Sequence, residues 1–400
     1  MDRPLKGLRV VDLTRALAGP FGTMALADLG ADVIKIEPTP AGDMIRQWGP
    51  FDRDTSVYYL SANRNKRCLG LNFRSEQGIA VIKQMILQAD IVVENFKVGT
   101  MESMGLSFAS LSEQNPRLIM ASISGFGSEG PAKNWPGFDQ IAQGYSGLMS
   151  VTGDPQTGPT RVGVPIGDMT AGLWLTVGVL SAVVEREKTG KGQHVQTSLL
   201  ASLLSLLSVQ GQRYLSIGEV PTPMGNAHPV IFPYGSFMTA DGPINIAPAT
   251  TAMWQNVCEL LSLSHLVTDE RFLTNADRVL NRDILQEEFD RALQTNGRTE
   301  WTKLFLLNGV PAGPINSVAD AMNDQQVQAM QMIESIDYPE LGDVKHVGLP
   351  LEMGSVPKGQ TIFAPAPFFG EHSVTVLREF GWDQQQIDDM LARGDIYQRT

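Results

Sequence analysis

The chain reads as an α/β protein built on a parallel sheet covered by helices. Apolar runs LRVVDL (8–13), ADVIKIE (31–37), ADIVVENF (89–96) and RLIMASIS (117–124) recur along the first third of the sequence. Amphipathic stretches of helix length, such as SEQGIAVIKQMILQ, lie between them, and this alternation is what crossover connections require. A length of 400 residues at 42% hydrophobic and 18% charged supplies a large core and enough chain for two domains.

The opening MDRPLKGLRVVDL mixes charges ahead of a short strand and lacks the apolar stretch of an export signal. Beyond the fourth run, Asp168 precedes a charge-free window, Met169 to Val184. That window is shorter than the roughly 20 residues a bilayer span needs, and Thr170, Gly172, Thr176 and Gly178 interrupt it, so it reads as a buried helix. It ends in EREKTGKG, and a strand-like QHVQTSLL and a second apolar helix, ASLLSLLSVQGQRYL, follow. The Pro- and Gly-rich PTPMGNAHPVIFPYGSF (221–237) marks a linker into a smaller region with helical patterns at AMWQNVCELL and RDILQEEFDRAL. A helical SVADAMNDQQVQAMQ, a β-like VKHVGLPLEM, the helix VTVLREFG and the tail QQQIDDMLARG complete the chain and can return to the first domain.

Thirty-one Lys and Arg against 43 Asp and Glu leave a net charge of -12, which disfavours nucleic acid and anionic membrane as partners. A small anion can still bind where a few cations and backbone N–H groups converge. Cys68 and Cys258 are too few for a disulfide framework and suit a cytoplasmic setting; the five histidines lack ligand spacing, so no metal is expected.

Gly125, Gly127 and Gly130 form a literal GxGxxG after a strand, but PAKNWPG follows where a phosphate-binding helix would open, which argues against a dinucleotide. There is no GxxxxGK[ST] loop and no GxSxG elbow. Asp168, in RVGVPIGDMTAGLW, reads either as a helix N-cap or as a nucleophile held ionised by the helix dipole. NRNKR (63–67) with Phe73 and Arg74, and ENFKVG (94–99), read either as solvated charge or as sites where phosphates pair with cations and an adenine stacks on Phe73 or Phe96. His228 in GNAHP reads as a loop histidine and only secondarily as a base.

Taken together, PLKGLRVVDLTRALAGPFGTMALADLGADVIKIEP, GDMIRQWGP, NRNKRCLGLN, DIVVENFKVG, MASISGFGSEGP, the GD of VPIGD, KTGKGQHVQTSLL, GNAHPVIFPY, GVPAGPINS and FFGEH resemble the class III coenzyme A transferases, from about Pro4 to about His372. That family also includes 2-methylacyl-CoA racemases and carnitine-type CoA transferases. The resemblance implies a large Rossmann-like domain built from both chain ends, a smaller α+β domain, and an interlocked homodimer. The corresponding division is 1–205 for the first part of the large domain, 206–225 as linker, 226–325 for the small domain, and 326–400 as linker and return.

By the same resemblance Asp168 is the nucleophile, attacking an acyl-CoA thioester to give a mixed anhydride and then an aspartyl-CoA thioester. Ala16 and Leu17 line the thiol end of CoA, and their N–H groups can hold an oxyanion. Phe73, Arg74, Asn95, Phe96 and Lys97 fall where the family binds adenine and phosphates. CoA and acyl-CoA are then substrates, and no permanently bound cofactor or metal is implied. Arg15 and Leu17 stand where formyl-CoA:oxalate enzymes carry His and Gln, and APATTAMW replaces a Gly-rich lid, so formate and oxalate fit poorly.

Phe138 and Asp139 fall at the substrate, in the block where racemases carry a His before the Asp; Phe138 cannot shuttle a proton, which favours transfer over racemisation. LTRALAGP, GDMIRQWGP and NRNKR most resemble succinyl-CoA-dependent dicarboxylate enzymes. Arg15, Arg46 and Arg161 then read either as forks for a distal carboxylate or as internal ion pairs. The expected activity is transfer of CoA from an acyl-CoA, succinyl-CoA foremost, to a small carboxylic acid. The alternatives are an acyl-CoA racemase and a non-catalytic CoA-binding protein.

Overall fold

Six strands run parallel: β1 (Arg9–Asp12), β2 (Asp32–Pro38), β3 (Lys66–Leu71), β4 (Ile91–Glu94), β5 (Ile119–Ser124) and β6 (His194–Ser198). In the computed structural model, which describes residues 3–400, they stand in the order β3-β2-β1-β4-β5-β6. The final strand, Ile396–Tyr397, adds antiparallel to β3 at the edge. The alternation in the sequence thus yields a parallel-dominated α/β sheet. Successive β1 side chains face opposite sides: Val10 joins a cluster with Leu26, Ala27, Leu175 and Val179, and Val11 one with Ile82, Met85, Leu377 and Ile387.

The helices of the sheet unit include α1 (Ala18–Asp28), α2 (Glu76–Leu87), α3 (Asp139–Tyr145), α4 (Ile166–Thr189), α5 (Leu199–Leu206) and α6 (Ser208–Ile217), with Ser373–Glu379 and Gln384–Arg393 sharing the core of α2. By length and composition α4 could cross a bilayer. Instead Ala171, Leu175, Val179 and Ala182 pack into the core with α1 and the sheet. The sheet unit comprises the chain up to Leu148, Arg161–Gly218 and Gln325–Thr400; a second unit comprises Met149–Thr160 and Glu219–Asp324. The second unit has a three-stranded antiparallel sheet and helices whose core stacks Trp254 on Phe289 at 5.9 Å.

Four local readings need correction. Strand β3 begins in what looks like a surface cluster: Lys66 is buried against Asp12, Arg64 pairs with Asp28, and Arg67 with Asp32 and Glu379, so NRNKR is structural. The single helix at 201–215 is two, α5 and α6, broken where Ser208 takes a left-handed φ of 42°. The helical stretch at 317–331 divides at Asp324 into Val318–Asn323 and Gln325–Ala329. The β-like segment after Asp343 is one arm of a hairpin, Ile333–Tyr338 with Gly342–Val347. Gly125 belongs to a loop, packed so closely on Gly137 that a Cβ would stand 2.8 Å from its Cα, and no helix opens before Asp139.

α1 and α4 cross at two glycines. A Cβ on Gly172 would stand 2.6 Å from the Ala18 carbonyl oxygen, and one on Gly22 would stand 2.7 Å from the Gly172 carbonyl oxygen. Both obstacles are backbone, so the helices must move apart to admit a methyl group. Gly172→Ala is expected to lose about 1–3 kcal/mol in urea denaturation, overpacking outweighing the better helix propensity of Ala; a gain in stability would mean that the crossing is looser than this geometry.

Candidate active site

In this strand order the chain reverses between β1 and β4, and the crevice at their carboxyl ends is where open α/β sheets place ligands. The turn leaving β1 is held at every step. Leu13 N–H donates to the Val93 carbonyl at 2.8 Å, and the Asn95 amide brackets Arg15, accepting from its N–H and donating to its carbonyl, each at 2.8 Å. Lys35 Nζ donates to the Thr14 carbonyl at 2.8 Å and pairs with Asp43 at 2.9 Å, and Asp43 Oδ1 accepts the Ala16 N–H at 3.1 Å. Ala16 is thereby fixed at a left-handed φ of 58°. Of the two N–H groups read as oxyanion donors, that of Ala16 is already bound. Leu17 opens α1 with no side-chain cap, so the first-turn N–H groups of α1 have no capping side chain.

The Gly22–Gly172 crossing brings the start of α4 to the start of α1. Asp168 lies one turn, about 6 Å, before Gly172, and is the third residue of α4. It is not the N-cap; Pro165 holds that position and has no capping side chain. The cap comes from α3, where Asp139 Oδ1 accepts the N–H of Gly167 at 2.7 Å and of Asp168 at 3.3 Å. The Asp168 carboxylate makes no hydrogen bond within the described residues. Burial, with the negative charge of Asp139 adding to it, lifts the Asp168 carboxyl to about 7.

Asp139, read as a substrate residue, is thus turned towards the backbone of α4. The neighbouring Phe138 is 59% exposed. Phe73 and Phe96 meet edge to face at 6.4 Å, and the Arg15 guanidinium lies over both rings, 5.6 and 5.1 Å from their centroids. Its Nε is buried without a hydrogen-bond partner, and burial holds the group below its ordinary range against the opposing pull of Asp43. The structure therefore gathers Arg15, Phe73, Asn95 and Phe96; Arg74 and Lys97, each one residue along from a ring, are exposed.

Arg46, read as a fork for substrate, is committed elsewhere. Its Nε and Nη2 reach both oxygens of buried Glu37 at 2.7 and 2.8 Å, with Tyr59 and Cys68 alongside. Arg161 is exposed on the segment leading into α4. His228, in the second unit, accepts the Val230 N–H at Nδ1 and lies against Tyr234. Among the described residues no group of three His, Cys, Asp or Glu side chains is placed to hold a metal.

A further cluster escapes sequence reading. Glu94, at the end of β4, accepts the Phe96 N–H at 2.7 Å and bonds Ser122, whose hydroxyl lies 2.8 Å from His194 Nε2. Burial lifts Glu94 to about 7. These residues line a cavity of about 330 Å³ over β4, β5 and β6. Alternation within β5 and β6 puts Ser122 and His194 on one face, but their partnership with Glu94 depends on sheet order.

The Asp168 environment has a measurable cost. A carboxyl at about 7 in the folded chain and 3.8 unfolded binds its proton more tightly when folded, so its contribution to stability is lost as pH rises through that interval. Asp168→Asn is expected to gain about 2–3 kcal/mol more at pH 8 than at pH 5 in thermal or urea unfolding; equal gains at both would show an unperturbed carboxyl.

Residues 5–373 match the model of CoA-transferase family III. Succinyl-CoA:glutarate CoA-transferase of Homo sapiens is 35% identical over 402 residues, spanning 99% of this chain and 90% of that protein. Acetyl-CoA:oxalate CoA-transferase of Acetobacter aceti is 39% identical over 331 residues, 82% of this chain and 85% of that protein. A solved CAIB/BAIF family protein from Brucella suis superposes with a TM-score of 0.85 at 37% identity, over 95% of this chain and 100% of that one. A helix that brings Asp168 to the switch point of a parallel sheet, and a family match that runs through nearly the whole chain, agree: this protein is an enzyme of CoA-transferase family III.

Proposed function

We propose that the enzyme moves CoA from succinyl-CoA to a small dicarboxylic acid through covalent intermediates on Asp168. One observation carries this reading: the backbone of Asp168 is pinned in the first turn of α4, one turn before the Gly22–Gly172 contact with α1, while its carboxylate makes no hydrogen bond among the described residues. In the first step an Asp168 oxygen attacks the thioester carbonyl and the C–S bond breaks, giving a mixed anhydride and CoA thiolate. The thiolate then attacks the aspartyl carbonyl and expels the first acid, leaving an aspartyl-CoA thioester. An acceptor carboxylate attacks that thioester to form a second anhydride, and the thiolate attacks its acyl carbonyl, releasing the new acyl-CoA and free Asp168. Each tetrahedral oxyanion is served by the Leu17 N–H and the first turn of α1, whose dipole favours negative charge there.

Attack requires the carboxylate form, so turnover rises with pH through about 7. Phe73 and Phe96 offer a shelf for adenine, with Arg15, Arg74 and Lys97 as phosphate partners. With Arg46 tied to Glu37 and Arg15 on the rings, Arg161 is the arginine left to pair the distal carboxylate. Exposed apolar residues on α4 and α6, among them Trp174, Val177, Leu215 and Ile217, support a homodimer. Two buried free cysteines suit a cytoplasmic setting.

The test is a panel of acids (glutarate, mesaconate, itaconate, citramalate, malate, oxalate, acetate) with succinyl-CoA, read by mass spectrometry. A dicarboxyl-CoA with equimolar succinate is expected, and Arg161→Met should raise KM for that acid at least about tenfold while leaving KM for succinyl-CoA unchanged. Product only from acetyl-CoA, or only with acetate, would overturn the donor or acceptor assignment; exchange of the α-proton with deuterium, without transfer, would mark a racemase.

A further inference from the structure

Asp139 is engaged on every side by donors. Oδ1 takes the N–H groups of Gly167 and Asp168, and Oδ2 takes the Gln143 side-chain N–H at 2.7 Å. All of these partners donate, so both oxygens act as acceptors, as a carboxylate does. The side chain is also built in. Gln143 Oε1 accepts the Val162 N–H at 2.9 Å, so one hydrogen-bonded chain runs from α3 to both ends of the segment that delivers Asp168. Glycine at 167 admits the carboxylate, since a Cβ there would stand 2.9 Å from Asp139 Oδ1.

We infer that Asp139 is a positioning residue: it caps α4 from another helix, fixes the backbone of the nucleophile, and holds its own negative charge next to the Asp168 carboxyl. The neighbouring elements supply no rival. α1 carries only Asp28, at its far end and paired with Arg64; α5 and β5 carry no charge; β6 carries His194 at its start, bonded to Ser122. The charges of α4 beyond Asp168 are Glu185, Arg186, Glu187 and Lys188, more than four turns away, and Arg15 and Arg161 lie on the segments ahead of α1 and α4. Of these groups it is Asp139 whose charge adds to burial in raising the Asp168 carboxyl.

The consequence is a nucleophile kept near its titration midpoint at neutral pH. It is less solvated and more basic than an ordinary aspartate, and therefore a stronger attacking group once ionised. This inference rests on Asp168 as nucleophile, but its test does not need turnover. Infrared difference spectra of the protonated-carboxyl stretch, wild type minus Asp168→Asn, titrate Asp168 with no substrate present.

Asp139→Asn keeps an oxygen for the two N–H groups and removes the charge. Its amide NH2 faces the Gln143 donor, a lost contact that Gln143→Ala reproduces; it is expected to lower the Asp168 midpoint by about one pH unit or more and to move the acid limb of kcat/KM the same way. Gln143→Ala releases Val162 but leaves the charge, and should leave the midpoint in place. Should Asp139→Asn fail to fold, Asp139→Glu takes its place: it keeps the charge on a longer arm, so the midpoint should stay near that of wild type while kcat falls. An unchanged midpoint in folded Asp139→Asn, or an equal drop in Gln143→Ala, would overturn the inference, as would a midpoint in Asp139→Glu that falls to the ordinary aspartate range. Absence of transfer in the wild type would count against the proposed function alone.

Discussion

Beneath the first β-to-α turn lies a buried set of charges on which the crevice depends. Asp12, Asp43 and Glu37 balance Lys35, Lys66 and Arg46, and the two lysines are sealed from solvent. Lys66 donates to Asp12, Thr23, Asn63 and the Pro20 carbonyl, tying β3 to β1 and α1. Lys35 and Asp43 grip Thr14 and Ala16 directly. Breaking a buried pair by removing one partner costs about 3–5 kcal/mol, far more than a surface pair. Interior charge here does not add stability over an apolar core; it holds a backbone turn in a left-handed conformation that an apolar core has no means to grip.

From that turn outward, the site is assembled by backbone contacts that side chains make across long stretches of chain. Asn95 brackets Arg15, Asp139 caps α4, and the Gly22–Gly172 crossing sets the two helix starts side by side. Each device fixes main-chain position, and the Asp168 carboxylate stays uncommitted among the described residues. The cost appears as an aspartate whose proton is held to about 7, because the same burial that shapes the site disfavours its charge.

The parallel sheet was legible because five of its six parallel strands are apolar runs or strand-like segments divided by amphipathic ones, the pattern a doubly covered sheet imposes. Strand β3 was hidden because Lys66 and Arg67 look solvent-facing until Asp12 and Asp32 are brought to them. The same holds at the site. Asp168 stood out as a carboxylate opening an apolar helix, whereas Asp139, 29 residues earlier, gave no local sign of being its cap. Arg46 suggested a substrate fork, and only the pairing of β2 with its following turn gives it Glu37. Spacing reports partners within an element; these partnerships are set by strand order.

In the proposed transfer, Asp168 carries the transferred group. The direct measurement is to incubate the wild-type enzyme with succinyl-CoA and no acceptor, quench, digest, and map covalent adducts by mass spectrometry. A CoA thioester on the peptide containing Asp168, converted to a hydroxamate by hydroxylamine, is the expected result. An adduct on any other residue, or none from an enzyme that still turns over, would contradict it.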